Sequence, residues 1–176
     1  MFRTDKVALG YLPTYLALAG QIGTGGRICE LGVADGASLE LWQALFPSGL
    51  IVGVDSDPQA RWPDQTIRVV ADQGDPALAA RLAAISPTYD LIVDDASHDG
   101  HCTRAAFETL WPLVAPGRTY VIEDWQVGFD GIGFDLWDDS MRDLARDLLD
   151  GLKYPRGEID QITYRHGMIL LNRKDG

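Results

Sequence analysis

Three groups of residues in this chain have the type and spacing to do chemistry: two acidic pairs, a histidine close behind one of them, and glycines bunched after an apolar run. Asp94–Asp95 and Glu123–Asp124 each close an apolar, β-like run, Tyr89–Asp94 and residues 119–123. As neighbouring strands, these runs would bring several carboxylates to one sheet edge, where like charges need compensation. A divalent cation supplies it, and oxygen-only ligands favour Mg2+, with Mn2+ or Ca2+ able to substitute. His98 follows Asp95 by three residues, and imidazole is the side chain best suited to taking a proton near neutral pH. Each feature also has a plainer reading. Asp94 would only contact a cofactor or cap a loop, Ser97 would be a helix N-cap, and His98 would be a first-turn residue without chemical consequence. His101 is expected to be a surface or packing residue and His166 a structural one.

The elements that must position these groups alternate between strand and helix. Residues 27–33 (RICELGV) read as a strand, 37–46 as a helix, Leu50–Asp55 as a second strand and 66–71 as a third. Asp75 as N-cap and Pro76 at the first helical position open a helix over 75–84. Tyr89–Asp94 is the fourth strand, followed by a helix to about Val114, and 119–123 is the fifth. Strands this apolar are buried on both faces, and their alternation with helices predicts a doubly wound parallel sheet. The end of the chain departs from that rhythm. After a helix capped by Ser140 and running to about Leu152, Ile159–Arg165 and Met168–Arg173 read as two strands joined by a tight turn at His166–Gly167. That antiparallel hairpin is not the ordinary ending of a dinucleotide-dependent dehydrogenase.

Ligands of open α/β sheets bind at the carboxyl ends of the strands. There the segment ELGVADG (residues 30–36) follows the first strand and opens a helix. Gly32 and Gly36 allow a sharp turn and a close backbone approach, but the spacing is not the G-x-G-x-x-G that holds a pyrophosphate. Glu30 is an anion suited to a cationic amino-acid group. Asp55, ending the second strand, is placed to accept from ribose hydroxyls, and Asp72 and Gln73, past the third, to reach an adenine edge. The bland alternative is that all of these are turn and capping residues.

ELGVADG, GVDSD, VVADQGD and the terminal hairpin resemble the class I S-adenosylmethionine-dependent methyltransferases along nearly the whole chain. More narrowly, TDK near the start, DDASH and VIEDW resemble the metal-dependent sugar O-methyltransferases of macrolide biosynthesis and the related cephalosporin-hydroxylase-like proteins. The resemblance implies a Rossmann-like seven-stranded sheet with a terminal antiparallel hairpin. It implies S-adenosylmethionine held by Glu30, Gly32, Gly36, Asp55, Asp72, Gln73 and Asp94. It also implies Mg2+ on Asp95, Glu123 and Asp124, with His98 as candidate base. The expected reaction is methyl transfer to a hydroxyl of a small metabolite such as a sugar. Two positions depart from the pattern: Ala34 replaces a glycine common in the first loop, and Gly10 stands where a histidine often precedes Tyr11. The chain is also shorter than members that carry an auxiliary domain.

Composition narrows the alternatives. The 176 residues, 46% hydrophobic, suit one domain, and no apolar run reaches the length of a membrane span. The first twenty residues read as an amphipathic helix rather than a signal peptide, which predicts a cytoplasmic protein. Cys29 and Cys102, the two cysteines, fit neither a disulfide framework nor a thiolate metal site, and Cys29 reads as a buried small hydrophobe. A net charge of −11 repels polyanions and argues against nucleic acid as partner. The expected partner is a small-molecule acceptor, and homo-oligomerisation is expected of a small domain with an apolar edge hairpin. Residues 126–139, rich in glycine and aromatics, are read either as an acceptor-binding lid or as a loop docked on the core, with Trp125 a candidate wall of the acceptor pocket. Two other functions compete: a non-catalytic S-adenosylmethionine-binding or regulatory subunit, and an NAD-dependent oxidoreductase.

Overall fold

The computed structural model describes residues 3–127, 140–150 and 158–176. Of the lid expected over residues 126–139, positions 128–139, with Phe129, Phe134 and Trp137, lie outside them. In chain order the elements are α1 (Asp5–Ala8), α2 (Leu12–Ile22), β1 (Arg27–Leu31), α3 (Ala37–Leu45), β2 (Leu50–Asp55), β3 (Ile67–Val70) and α4 (Leu78–Ile85). Then come β4 (Tyr89–Asp94), α5 (Gly100–Leu110), a single 3-10 turn (Trp111–Leu113), β5 (Val114–Glu123), α6 (Ser140–Asp150), β6 (Ile159–Arg165) and β7 (Met168–Arg173).

The seven strands form one sheet in the order β3-β2-β1-β4-β5-β7-β6. The first five are parallel, and β7 runs antiparallel to both β5 and β6. The doubly wound sheet and its terminal hairpin therefore stand as expected. Alternation along each strand divides the core. Cys29, Val52, Val54, Ile92 and Tyr120 face the layer of α4, α5 and α6, where Leu82, Phe107 and Leu144 are fully buried. Ile28, Ile51, Leu91, Val93 and Val121 face Tyr15, Leu39 and Trp42 of α2 and α3.

Some boundaries moved, each for a local reason. The expected single first helix is two, because Gly10 adopts φ +80° and turns the chain between Ala8 and Leu12. Asp75 does not cap α4. Its carboxylate accepts from Ala77 N–H at 2.8 Å, closing a turn before the helix starts at Leu78. The cap of α5 is Asp99, which accepts from Cys102 N–H at 2.9 Å; Ser97 supports it by accepting from Asp99 N–H at 3.2 Å. Strand β5 begins five residues earlier than expected, continuing through Pro116-Gly117 where its register with β4 shifts.

Candidate active site

A cavity of about 490 Å3 opens at the carboxyl ends of the central strands, bounded by the loop after β1, by Asp55, and by Asp72 and Gln73 beyond β3. Gly32 makes it possible: at φ +90°, a Cβ on this residue would stand 2.0 Å from the Asp95 carbonyl oxygen. The loops after β1 and β4 thus touch backbone to backbone. Ala34 holds φ 46°, the left-handed conformation that its missing glycine would take without strain. Asp55 ties the loop down. Its Oδ2 accepts from the N–H groups of Val33 and Ala34 at 2.8 and 3.0 Å, and its Oδ1 from Asp57 N–H at 2.8 Å. Burial alone would raise this carboxyl, but the three donors outweigh it and hold it below the usual carboxylate range.

Asp72 lines the cavity while its Oδ1 accepts from Gly74 N–H at 2.8 Å. Gln73 bridges two loops, donating to Asp94 Oδ1 at 3.2 Å and accepting from Ser97 N–H at 2.9 Å. Asp94 lies beneath the cavity rather than on its wall. It is 2% exposed, accepts from Tyr120 Oη at 3.2 Å, and burial pushes its carboxyl up to about 7. Its effect on a ligand passes through Gln73. Gly36 lies at the entry to α3. Glu30 stands behind the loop, fully buried, accepting from Ser38 Oγ at 2.6 Å and Trp42 Nε1 at 3.0 Å. It faces the protein and not the cavity.

Beyond the cavity the acidic residues meet, and the cation among them is a lysine. Lys6 is completely buried, with Nζ 2.6 Å from Asp95 Oδ2, 3.0 Å from Glu123 Oε2 and 3.2 Å from Glu30 Oε1. Tyr15 donates to Glu123 Oε1, and Tyr11 donates to Asp124 Oδ1 at 2.6 Å. One ammonium among three carboxylates, Glu30 and Glu123 buried and Asp95 partly so, stays charged, whereas the carboxylates share too little compensation. Burial therefore raises the Glu123, Asp95 and Glu30 carboxyls above the usual carboxylate range, against the pull of the Lys6 ammonium.

Two carboxylate oxygens are left over, Asp95 Oδ1 and Asp124 Oδ2, and His98 Nε2 lies 3.9 Å from each. One ligand atom from each of Asp95, His98 and Asp124 falls within 4.8 Å of the others, close enough for a single cation. His98 (φ 54°) and Asp124 (φ 51°) both hold left-handed backbone conformations, a strain characteristic of functional sites. Gly167 at the hairpin turn lets this arrangement close, since a Cβ there would overlap Tyr11 Oη and its carbonyl accepts from Asp124 N–H at 2.7 Å.

Sequence reasoning placed the expected metal set Asp95, Glu123 and Asp124 together, and together they lie. It did not anticipate that Glu123 spends both oxygens on Lys6 and Tyr15, or that His98 joins the two free ones. Lys6, Tyr11 and Tyr15, which bond these carboxylates, had no role assigned from sequence. The signal for them was a lone lysine in TDK ahead of tyrosines four residues apart in an otherwise apolar stretch.

The methyltransferase domain family matches residues 29–125, more than half of the chain. The chain belongs to that family. It is 36% identical over 142 residues to demethylmacrocin O-methyltransferase of Streptomyces fradiae, covering 73% of this chain and 36% of that protein. It is also 36% identical over 138 residues to 8-demethyl-8-alpha-L-rhamnosyl tetracenomycin-C 2'-O-methyltransferase of Streptomyces olivaceus, covering 76% of this chain and 36% of that one. Among solved structures it superposes on MycE methyltransferase of the mycinamycin biosynthetic pathway, in complex with Mg, SAH and mycinamycin VI, with a TM-score of 0.78 at 26% identity. That match covers 94% of this chain and 50% of MycE. The chain thus spans about a third to a half of the length of these relatives.

Proposed function

We propose that this chain carries the catalytic site of an S-adenosylmethionine-dependent, Mg2+-assisted O-methyltransferase acting on a sugar hydroxyl of a glycosylated metabolite. The observation that carries the reading is that Asp95 belongs to two sites at once. It lines the nucleoside-sized cavity and also supplies one of the two unclaimed oxygens beside His98. A methyl donor in the cavity and an acceptor held at the acidic centre would therefore meet at Asp95.

The residues fit both groups. The cavity's volume lies within the usual range for small-molecule sites, Gly32 lets the two loops that bound it pack backbone to backbone, and Asp55 lines it, where it would accept from ribose hydroxyls. Asp95 Oδ1 and Asp124 Oδ2 would hold the cation, with His98 beside them and Glu123 joining only where Lys6 releases it. A bound Mg2+ would orient the acceptor and lower the pKa of its hydroxyl. His98 Nε2 would accept the hydroxyl proton as the acceptor oxygen takes the methyl group and the sulfonium becomes a neutral thioether. Holding the oxygen in line with the methyl carbon supplies much of the rate. One relative acts, by its name, at the 2' oxygen of an alpha-L-rhamnosyl tetracenomycin-C, which supports the acceptor class.

The test is methyl transfer from S-adenosylmethionine across a panel of glycosylated polyketides, read by mass spectrometry, alongside calorimetry with S-adenosylhomocysteine and NAD. The expected result is a methylated glycoside, binding of S-adenosylhomocysteine and none of NAD. Binding without transfer to any acceptor would favour the non-catalytic subunit, and binding of NAD alone would overturn the reading.

A further inference from the structure

The segment ahead of Tyr11 has a use that its composition hides. Arg3, Thr4 and Asp5 line the cavity together with the Gly32 loop and Asp95. The segment has little of its own to hold it there. Helix α1 is four residues long, far too short for independent stability, and Leu9 beyond it is 43% exposed. The one side chain that α1 buries is Lys6. Thr4 caps the helix locally, accepting from Lys6 N–H at 3.3 Å, and Arg3 reaches Glu40 at 3.8 Å in an exposed ion pair of little worth. Lys6 therefore makes the segment's main long-range contacts among the described residues: the ammonium on Asp95, Glu123 and Glu30.

We propose that residues 3–10 are a strap closing the donor cavity and that Lys6 is the positioning residue that fastens it, so that the acidic centre sets the donor's affinity as well as holding the acceptor. This rests on the cavity being the methyl-donor site. It links the two halves of the site physically, because the carboxylate that lines the cavity is also the nearest anchor of the strap. With the strap released, the cavity loses the lining formed by Thr4 and Asp5 and stands open to water.

The experiment compares wild type with Lys6→Met, which keeps the length of the side chain and removes its charge. Hydrogen exchange of residues 3–10 is followed without ligand, and S-adenosylhomocysteine affinity by calorimetry. Lys6→Met is expected to lose exchange protection in residues 3–10 while β1, β4 and β5 keep theirs. If the docked fraction falls to about a tenth, apparent affinity for S-adenosylhomocysteine falls about tenfold in step. Lys6→Arg, which restores the charge, is expected to recover part of both. Should Lys6→Met fail to fold, Thr4→Ala, which removes the cap of the strap and its bond to Asp5 Oδ1 but leaves Asp95, Glu123 and Glu30 untouched, is expected to raise exchange in residues 3–10 and weaken binding several-fold. Unchanged affinity in a folded Lys6→Met, or in Thr4→Ala as its substitute, overturns the strap. Wild-type protein that binds no S-adenosylhomocysteine overturns the donor-site reading instead.

Discussion

At the scale of single residues, Asp55 organises its loop before it touches any ligand, spending its carboxylate on three backbone N–H groups. Asp55→Ala therefore removes the proposed ribose acceptor and the tie on residues 33–34 together. It is expected to weaken S-adenosylhomocysteine binding by about 1.5–3 kcal/mol, measured calorimetrically; unchanged binding in the folded variant would remove Asp55 from the donor site. Asp124 and His98 divide differently. Asp124 does not line the cavity, so Asp124→Asn is expected to cost at least about tenfold in Mn2+ affinity, a change of roughly 1.4 kcal/mol, while donor binding holds. His98→Ala is expected to slow turnover about 10²–10⁴-fold, the usual loss of a general base, with Mn2+ affinity nearly intact. Mn2+ titration followed by electron paramagnetic resonance separates the roles, since equal loss of metal affinity in both variants would make His98 a ligand.

At the scale of elements, the far end of the sheet shows how strands that carry the site are pinned. Arg27 opens β1 and grips Asp90 of β4 through Nε at 2.9 Å and Nη2 at 3.0 Å, while its backbone N–H donates to the same carboxylate at 2.9 Å. Burial would raise the Asp90 carboxyl, but these donors, with Arg118 beyond, hold it below the usual carboxylate range. A depressed carboxyl contributes stability that is fully present above its unfolded value of about 3.9 and is lost as pH falls through the folded one. Asp90→Asn is expected to cost about 1 kcal/mol at neutral pH, allowing for the partial exposure of Arg27. The Tm gap to wild type should be constant from pH 8 to 5 and close below about pH 4; a gap that persists at low pH would mean packing rather than charge. The strands themselves were legible in sequence. Leu50–Asp55, Tyr89–Asp94, Ile159–Arg165 and Met168–Arg173 form with the bounds their apolar patterns predict. What sequence could not show was what the carboxylates at the strand ends bond to. Lys6 meets Asp95 and Glu123 across 89 and 117 residues of chain, and no local spacing encodes such a contact. Acidic pairs ending apolar runs were visible; their built-in cation was not.

At the scale of the whole molecule, the net charge of −11 sets the field in which any partner approaches, and it disfavours polyanions. A labelled RNA oligonucleotide is expected to show no saturable binding by fluorescence polarisation at micromolar protein in low salt, where phosphate contacts are strongest; tight, salt-sensitive binding would contradict the small-molecule reading. No helix among the described residues is long and apolar enough to cross a membrane. The fold brings the ends of β1, β2, β4 and β5 to one rim, with a donor-sized cavity on one side of Asp95 and the Asp95–His98–Asp124 group on the other. Whether that rim runs one cation-assisted methyl transfer is tested most directly by turnover on a glycoside that the protein methylates, first in EDTA and then after Mg2+ is restored. The expected result is activity lost in chelator, recovered with Mg2+ in wild type, and not recovered in Asp124→Asn. Full activity in EDTA would contradict it, leaving a metal-free transferase in which Lys6 alone balances the acidic centre.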